Sequence, residues 1–445
     1  MPSEIEFRNY FSEMSLHKIY DEHIRFSASS GIDNINQKSF NKIADRQISI
    51  ASRKILDGSY SFSNYRLKLV SKGRGKSPRE ISIPTIRDRI VLRALCDLLA
   101  QTFQGNLRLE LPQNIIKEVK EEKTKYNAFV KLDIRDFYPT ISHHHLRSRL
   151  ESKIHHKKTL ELINKAIQTS TVTSKSENNK IVLGIPQGLS ISNILAAIYL
   201  QKIDKEISKS NNFQYFRYVD DILILCQFKD SKQLADKLIV DFSKIDLEIY
   251  DPTDGSGKSI IGSFKNNDFN YLGYSFKNFG KYSVSVREES IAKIKNSLVS
   301  IFTSYKYSNS KNKNQDFLLW RLNLRITGCI LENKCKGWLF FFAEIDDKSL
   351  LHQLDAHVKH LQERFGVDLL PKKFMRNFHE IKYHKYQTNY IPNFDKYTLK
   401  DKQEVLAKVF HQIVDELSTD DIEYRFKKYV TRESRELLED ILNFS

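Results

Sequence analysis

Tyr215-Phe216-Arg217-Tyr218-Val219-Asp220-Asp221-Ile222-Leu223-Ile224-Leu225 sets two adjacent carboxylates between an aromatic run and an aliphatic one. The flanks favour sheet and Asp favours turns, so the stretch predicts a hairpin of two strands with Asp220 and Asp221 at its turn. Like charges that close repel, and one carboxyl tends to stay protonated unless a cation joins the pair. A hard divalent ion with oxygen ligands answers that need, and Mg²⁺ commonly takes one or two carboxylates plus substrate phosphates. Asp pairs are common in turns without chemistry, so the rest of the chain decides what this one is for.

The composition points to a polyanionic partner. The 445 residues carry 71 Lys and Arg against 55 acids, a formal charge of +16 with a pI near 9.3, which suits nucleic acid. The length allows two or three domains. The 21 Tyr and 28 Phe include rings that can stack on bases, although most belong to cores. Cys96, Cys226, Cys329 and Cys335 form no CxxC pair, which predicts reduced thiols in a cytoplasmic protein. The N-terminal residues show no signal-peptide pattern, and no apolar run reaches membrane-spanning length, Leu339–Ala343 being far too short. No membrane association is therefore expected.

Outward from the acidic pair, Ala128–Ile134 reads as a buried strand that ends on Asp133, well placed for a metal and poorly placed for packing. Asp136, in the turn that follows, is expected to cap or pair locally. Ile181–Ser192 contains the tight turn Gly184-Ile185-Pro186-Gln187-Gly188, whose glycines allow close approach and whose Gln187 offers a donor and an acceptor. Tyr65–Val70 and Arg79–Pro84 alternate as strands around a cationic tip, so Lys72, Lys76 and Arg79 are candidates for gripping phosphate. Leu247–Tyr250 is expected as a strand, and Phe269–Phe276 as a single strand with Gly273 in its middle. His143, His144, His145, His155 and His156 lack matched Cys or acidic ligands and read as surface histidines rather than a zinc site. Beyond Val286 helical periodicity dominates, with helices expected at 317–329, 350–365, 405–417 and 435–442. Basic groups in this tail, Lys306, Lys311 and Lys313 in one and Lys372, Lys373 and Arg376 in another, suit a nucleic-acid backbone.

Taken together, Asp133 in Val130–Tyr138, the Gly184–Gly188 turn and Tyr218-Val219-Asp220-Asp221 resemble the three central palm motifs of reverse transcriptases. The hairpin with Arg79 is similar to the fingers motif, Lys258 sits where the fourth palm motif carries a lysine, and Tyr271-Leu272-Gly273-Tyr274 resembles the primer grip. The likeness covers roughly the first two-thirds of the chain. Gly31-Ile32-Asp33 and Arg87–Val91 are similar to the bacterial branch of group II intron enzymes and retrons. Gly337–Phe342 and Leu350–Leu361 look most like the defence-associated, abortive-infection-type enzymes.

The resemblance implies an α+β right-hand polymerase, with an N-terminal segment and fingers at 1–125, a palm of antiparallel sheet and helices at 126–283, and an α-helical thumb and C-terminal region at 284–445. It implies that Asp133, Asp220 and Asp221, with the Ile134 carbonyl, bind two Mg²⁺, Mn²⁺ being a substitute. It places Lys72 and Arg79 on the triphosphate, Tyr138 against a ribose 2′-OH, Gln187 at nucleotide and template, and Lys258 as a general acid. Tyr271, Leu272 and Gly273 become the primer grip. The expected partners are an RNA template (a non-coding RNA), a DNA primer or product and dNTPs, with a homo-oligomer or partner protein left open. The expected function is RNA-directed DNA synthesis in bacterial antiviral defence. Template-independent or protein-primed DNA synthesis stays as the second reading, and a non-catalytic RNA-binding subunit as the third.

Overall fold

The computed structural model describes every residue except 1–2, 27–28, 72–76, 106, 108–109, 174–180, 279–283, 309–313 and 440–445, and of 438–439 only the backbone. It divides into two compact units, one of Met1–Glu110 with Ala128–Ile261, the other of Leu111–Asn127 with Gly262–Ser445. Both mix helices with short sheets, the α+β architecture expected of a polymerase. Among the described residues no helix is long and apolar enough to cross a membrane.

In the first unit, β1 (Tyr65–Val70) and β2 (Arg79–Ile83) pair antiparallel, and β1 also pairs parallel with β4 (Thr171–Val172). The organising sheet has the strand order β5-β6-β3-β7, with β3 at Ala128–Asp133, β5 at Gln214–Tyr218, β6 at Asp221–Cys226 and β7 at Ile260–Ser263. Ile222 to Cys226 are all fully buried, so β6 reads as one apolar run rather than an alternation, as a strand covered on both faces should. The helix Ser192–Ile207 is apolar nearly all round and lies in the same core. The helix Ile86–Thr102 starts from Thr85, whose side chain accepts the Asp88 N–H.

Two short helices, Glu4–Tyr10 and Glu13–Ile19, are capped by Ser3 and Ser12, and a π-helical segment Tyr20–Ile24 follows. Leu247–Tyr250 does not form a strand; it makes one isolated antiparallel bridge, Ile249 to Ile134.

In the second unit, β8 (Phe269–Tyr271) and β9 (Tyr274–Phe276) form a hairpin, with β10 (Val284–Val286) beside β9. The single strand expected here is therefore two. Leu272 and Gly273 both have positive φ, 49° and 79°, as a tight two-residue hairpin turn requires. The tail is helical at Glu288–Lys306, Gln315–Thr327, Lys348–Phe365, Phe374–His384, Leu399–Lys408 and Thr419–Glu439. The helix expected at 405–417 thus ends at Lys408, and the one expected at 435–442 begins sixteen residues earlier, at Thr419. The small hairpin of β11 (Cys329–Leu331) and β12 (Lys334–Lys336) lies where a helix end had been expected. It is held by Asp395, whose carboxylate accepts the N–H groups of Glu332 and Asn333 in its turn.

Gly184 shows how little room the Gly184–Gly188 turn has. Its φ is +85°, and a Cβ there would stand 2.6 Å from the Pro139 carbonyl oxygen. Gly58, at φ +87°, has open space around it. We expect Gly184→Ala to cost roughly 2–4 kcal/mol, conformational strain plus overlap, and Gly58→Ala only about 1 kcal/mol. Urea denaturation of the two variants checks this; equal losses would refute the packing argument.

Candidate active site

The antiparallel register of β3 and β6 sets Asp133 opposite Asp221. Tyr218 pairs with Asp221 across the β5–β6 hairpin, so the turn residues are Val219 and Asp220. Asp220 and Asp221 are thus divided between turn and strand, where both had been expected in the turn. Val219 holds φ +55°, a region that β-branched residues avoid. The result is three carboxylates at one end of one sheet.

Asp133 is fixed through its backbone as well as its side chain. Its N–H donates to Ser259 Oγ at 3.1 Å, its carbonyl accepts the Tyr250 N–H at 3.1 Å, and its Oδ2 lies 3.5 Å from Lys258 Nζ. Ile134, the next residue, is buried. Arg135 stacks over the Tyr250 ring at 4.6 Å and pairs with Glu248 at 3.1 Å, and Lys258 lies 5.7 Å from the same ring. The loop that carries Lys258 is therefore tied to the end of β3.

Asp220 is the strained member. As a residue it is partly exposed, but its Oδ1 is buried and has no hydrogen-bond partner. Burial pushes its carboxyl above the ordinary carboxylate value and the charge of Asp133 adds to this, while its own backbone N–H, Arg79 and Lys258 oppose it. Among the described residues no group of three or more His, Cys, Asp or Glu is already drawn together as a metal cluster. The donor set nonetheless fits a hard divalent cation: all-oxygen, with one buried orphan acceptor and mutually repelling charges.

Tyr138 follows in the short helix Phe137–Thr140, and its hydroxyl donates to Asn193 Oδ1 at 2.6 Å. Burial raises its phenol above the ordinary value, with the charge of Asp220 adding. Arg79, at the start of β2, acts electrostatically on both Asp220 and Tyr138. The carbonyl of Gln187 accepts the Ser82 N–H of β2 at 2.7 Å, while Gly184 and Ile185 donate to the Ile141 and Tyr138 carbonyls at 2.9 and 2.8 Å. The Gly184–Gly188 turn thereby joins the β1–β2 hairpin to the segment after Asp133. Asp133, Asp220, Asp221, Arg79, Tyr138, Gln187 and Lys258 all belong to the first unit; Tyr271, Leu272 and Gly273 lie in the second, in the turn of the β8–β9 hairpin. Lys72 lies outside the described residues.

Some expectations are corrected. Asp136 makes no side-chain capping bond; it stands at φ +42°, and its carbonyl accepts the Thr140 N–H. The histidines are not all simple surface groups. His143 Nε2 lies 2.6 Å from the Gly184 carbonyl, and His156 meets Glu4 at 2.7 Å. Asn193, Ser259 and the buried pair Arg217–Asp204 escaped the sequence reading. Arg217 sits inside the quoted motif, and a lone charge within an otherwise apolar strand was the available signal.

Residues 70–275 match the reverse transcriptase (RNA-dependent DNA polymerase) family. The group II intron-encoded protein LtrA of Lactococcus lactis subsp. cremoris is 26% identical over 170 residues, 36% of this chain and 28% of that protein. A 91 kDa protein in the cob intron of Schizosaccharomyces pombe is 29% identical over 165 residues, 35% of this chain and 20% of that protein. The chain thus spans under a third of the length of these relatives. Among solved structures, telomerase from Candida albicans in complex with a fragment of telomeric RNA aligns with a TM-score of 0.40 and 13% identity, covering 89% of this chain and 67% of that one. The residues that match the reverse transcriptase family, 70–275, include Asp133, Asp220 and Asp221 at one end of a single sheet.

Proposed function

We propose that the chain copies RNA into DNA by two-metal phosphoryl transfer. The observation that carries this reading is the register of Asp133 opposite Asp221, one residue from the buried, unpartnered Oδ1 of Asp220. In this reading Asp133, Asp220 and Asp221, with the Ile134 carbonyl, hold two Mg²⁺ or, in substitution, Mn²⁺. Such ions, when bound, lower the pKa of the primer hydroxyl and neutralise charge on the triphosphate and the leaving pyrophosphate. Arg79 and Lys72 grip the triphosphate through charge-assisted bonds. Gln187 contacts nucleotide and template, Lys258 delivers a proton to pyrophosphate, and Tyr138 excludes a ribose 2′-OH. Tyr271, Leu272 and Gly273 support the primer. In this reading the fingers lie at 1–125, the palm at 126–283 and an α-helical thumb and C-terminal region at 284–445.

The finer assignment is to the defence-associated branch, with a cognate non-coding RNA as template, in the bacterial cytoplasm. It is supported by the likeness of Gly337–Phe342 and Leu350–Leu361 to abortive-infection-type enzymes.

The helical region carries a surface suited to the nucleic-acid strand. Arg376 and Lys372 lie 4.4 and 5.1 Å from the Tyr390 ring, and Tyr383 and Tyr386, both 61% exposed, each have a lysine over the ring. Cations interleaved with exposed aromatic rings fit a single strand through phosphate contact and base stacking. Lys306 lies 5.5 Å from the Phe365 ring; Lys311 and Lys313 lie outside the described residues.

The carboxylates give the first test. Asp133→Asn and Asp220→Asn should each abolish Mg²⁺-dependent dNTP incorporation while RNA binding persists. A raised carboxyl keeps its proton to higher pH in the folded protein than in the unfolded chain, so its ionisation weakens the metal-free fold as pH rises. Asp220→Asn removes that charge and should therefore stabilise the metal-free protein at pH 7. Asp133→Asn removes only a half-exposed ion pair and should change stability little. Thermal unfolding in EDTA separates the two. Near-wild-type primer extension by either variant refutes the site.

Tyr138→Ala should raise ribonucleotide use relative to deoxyribonucleotide in single-nucleotide incorporation. Unchanged discrimination removes Tyr138 from the gate.

Replacing Lys372, Lys373 and Arg376 together with Gln should weaken RNA binding and reduce the slope of log K against log salt by about 2, three phosphate contacts on a single strand. Equal affinity and equal slope leave this surface without a nucleic-acid role.

A further inference from the structure

The turn that presents Asp220 and Asp221 is held from below by a buried ion pair. Tyr215 and Arg217 alternate on one face of β5, and both reach Asp204 on the helix Ser192–Ile207. The Arg217 guanidinium meets Asp204 through two nitrogens, Nε at 2.8 Å from Oδ1 and a terminal nitrogen on Oδ2. The Tyr215 hydroxyl donates to the same Oδ1 at 2.8 Å. The side chains of Arg217 and Asp204 are only 3% and 7% exposed. The other terminal nitrogen of Arg217 donates to the Val219 carbonyl at 2.9 Å.

A buried ion pair is a poor device for stability alone, since apolar residues of equal volume often serve as well or better. Its geometry here supplies something an apolar pair cannot. The β5–β6 ladder ends at Tyr218 and Asp221, so the Val219 carbonyl lies beyond it. That carbonyl belongs to a β-branched residue held at φ +55°, and such conformations persist where the surroundings over-determine them. A guanidinium has a rigid fork of five donors, enough to grip a carboxylate and still reach a third acceptor. Lysine has the charge without the fork.

We propose that Arg217, anchored by Asp204, is a positioning residue for the catalytic turn: it locks Val219 in its left-handed conformation and so sets where Asp220 and Asp221 stand. Arg217 touches no substrate; it acts through the Val219 carbonyl. The inference rests on the polymerase reading above.

The test uses the full chain and four variants. Arg217→Lys keeps a cation for Asp204 but cannot bridge to Val219. Its kcat for dNTP incorporation, per folded molecule, should fall roughly 100-fold, the scale of a 1 Å misplacement of catalytic groups. The KM for dNTP should hold, and Mn²⁺ binding followed by electron paramagnetic resonance should weaken. Tyr215→Phe loosens the same network while sparing the bond to Val219, so its turnover per folded molecule should match wild type. Val219→Gly frees the turn from the strain of a β-branched residue, and in the Arg217→Lys background it should restore roughly tenfold of the lost rate. In the wild-type background it should give no gain. Wild-type turnover per folded molecule in Arg217→Lys, or no rescue by Val219→Gly, overturns the proposal while the polymerase reading stands. Wild-type protein that neither incorporates dNTPs nor binds Mn²⁺ overturns that reading and this inference together.

Discussion

Electrostatic repulsion among three carboxylates is the constraint around which the first unit is arranged. A sheet that places Asp133 against Asp221, with Asp220 one residue away in a tight turn, concentrates negative charge in a small volume. Such an arrangement survives folding only because other parts of the fold answer it. Lys258 comes from a loop tied to the end of β3, and Arg79 comes from the first strands of the chain. The apolar run of β6 supplies the rigidity on which the strained turn stands. Remaining imbalance is visible in the raised carboxyl of Asp220.

Much of this site was legible in the sequence because its signals are local. The aliphatic run after Asp221, the acid at the end of Ala128–Ile134 and the glycines around Gln187 each carry their conformational meaning within a few residues. What could not be read was how sheet-forming runs pair. Phe269–Phe276 has sheet-forming residues throughout, and nothing local says that Leu272 and Gly273 break it into two strands. Leu247–Tyr250 has strand propensity but makes one isolated bridge, Ile249 to Ile134.

The missed residues share one character. Asn193, Ser259 and Asp204 are small polar groups on helices or loops remote in sequence from the atoms they serve. Each is recognisable only once the fold has brought its partner near. Arg217 differs, being an ionisable residue in the interior of a strand whose flanks are buried, a pattern that rarely occurs without a partner. In the helical region the periodicity located helices but not their ends, which depend on caps and on contacts such as that of Asp395 with the β11–β12 turn.

The Gly184–Gly188 turn has a consequence for how such a sequence can drift. Its bonds to Ser82, Tyr138 and Ile141 run from main chain to main chain. Substitution at those positions leaves every donor and acceptor of the joint in place, provided the glycines remain. The side chain of Gln187 is thereby released from that duty, whereas His143 and Ser192 are not, since their side chains bond the Gly184 and Pro186 carbonyls. Two descendants of one ancestor can then share the main-chain bonds of this joint while differing at position 187.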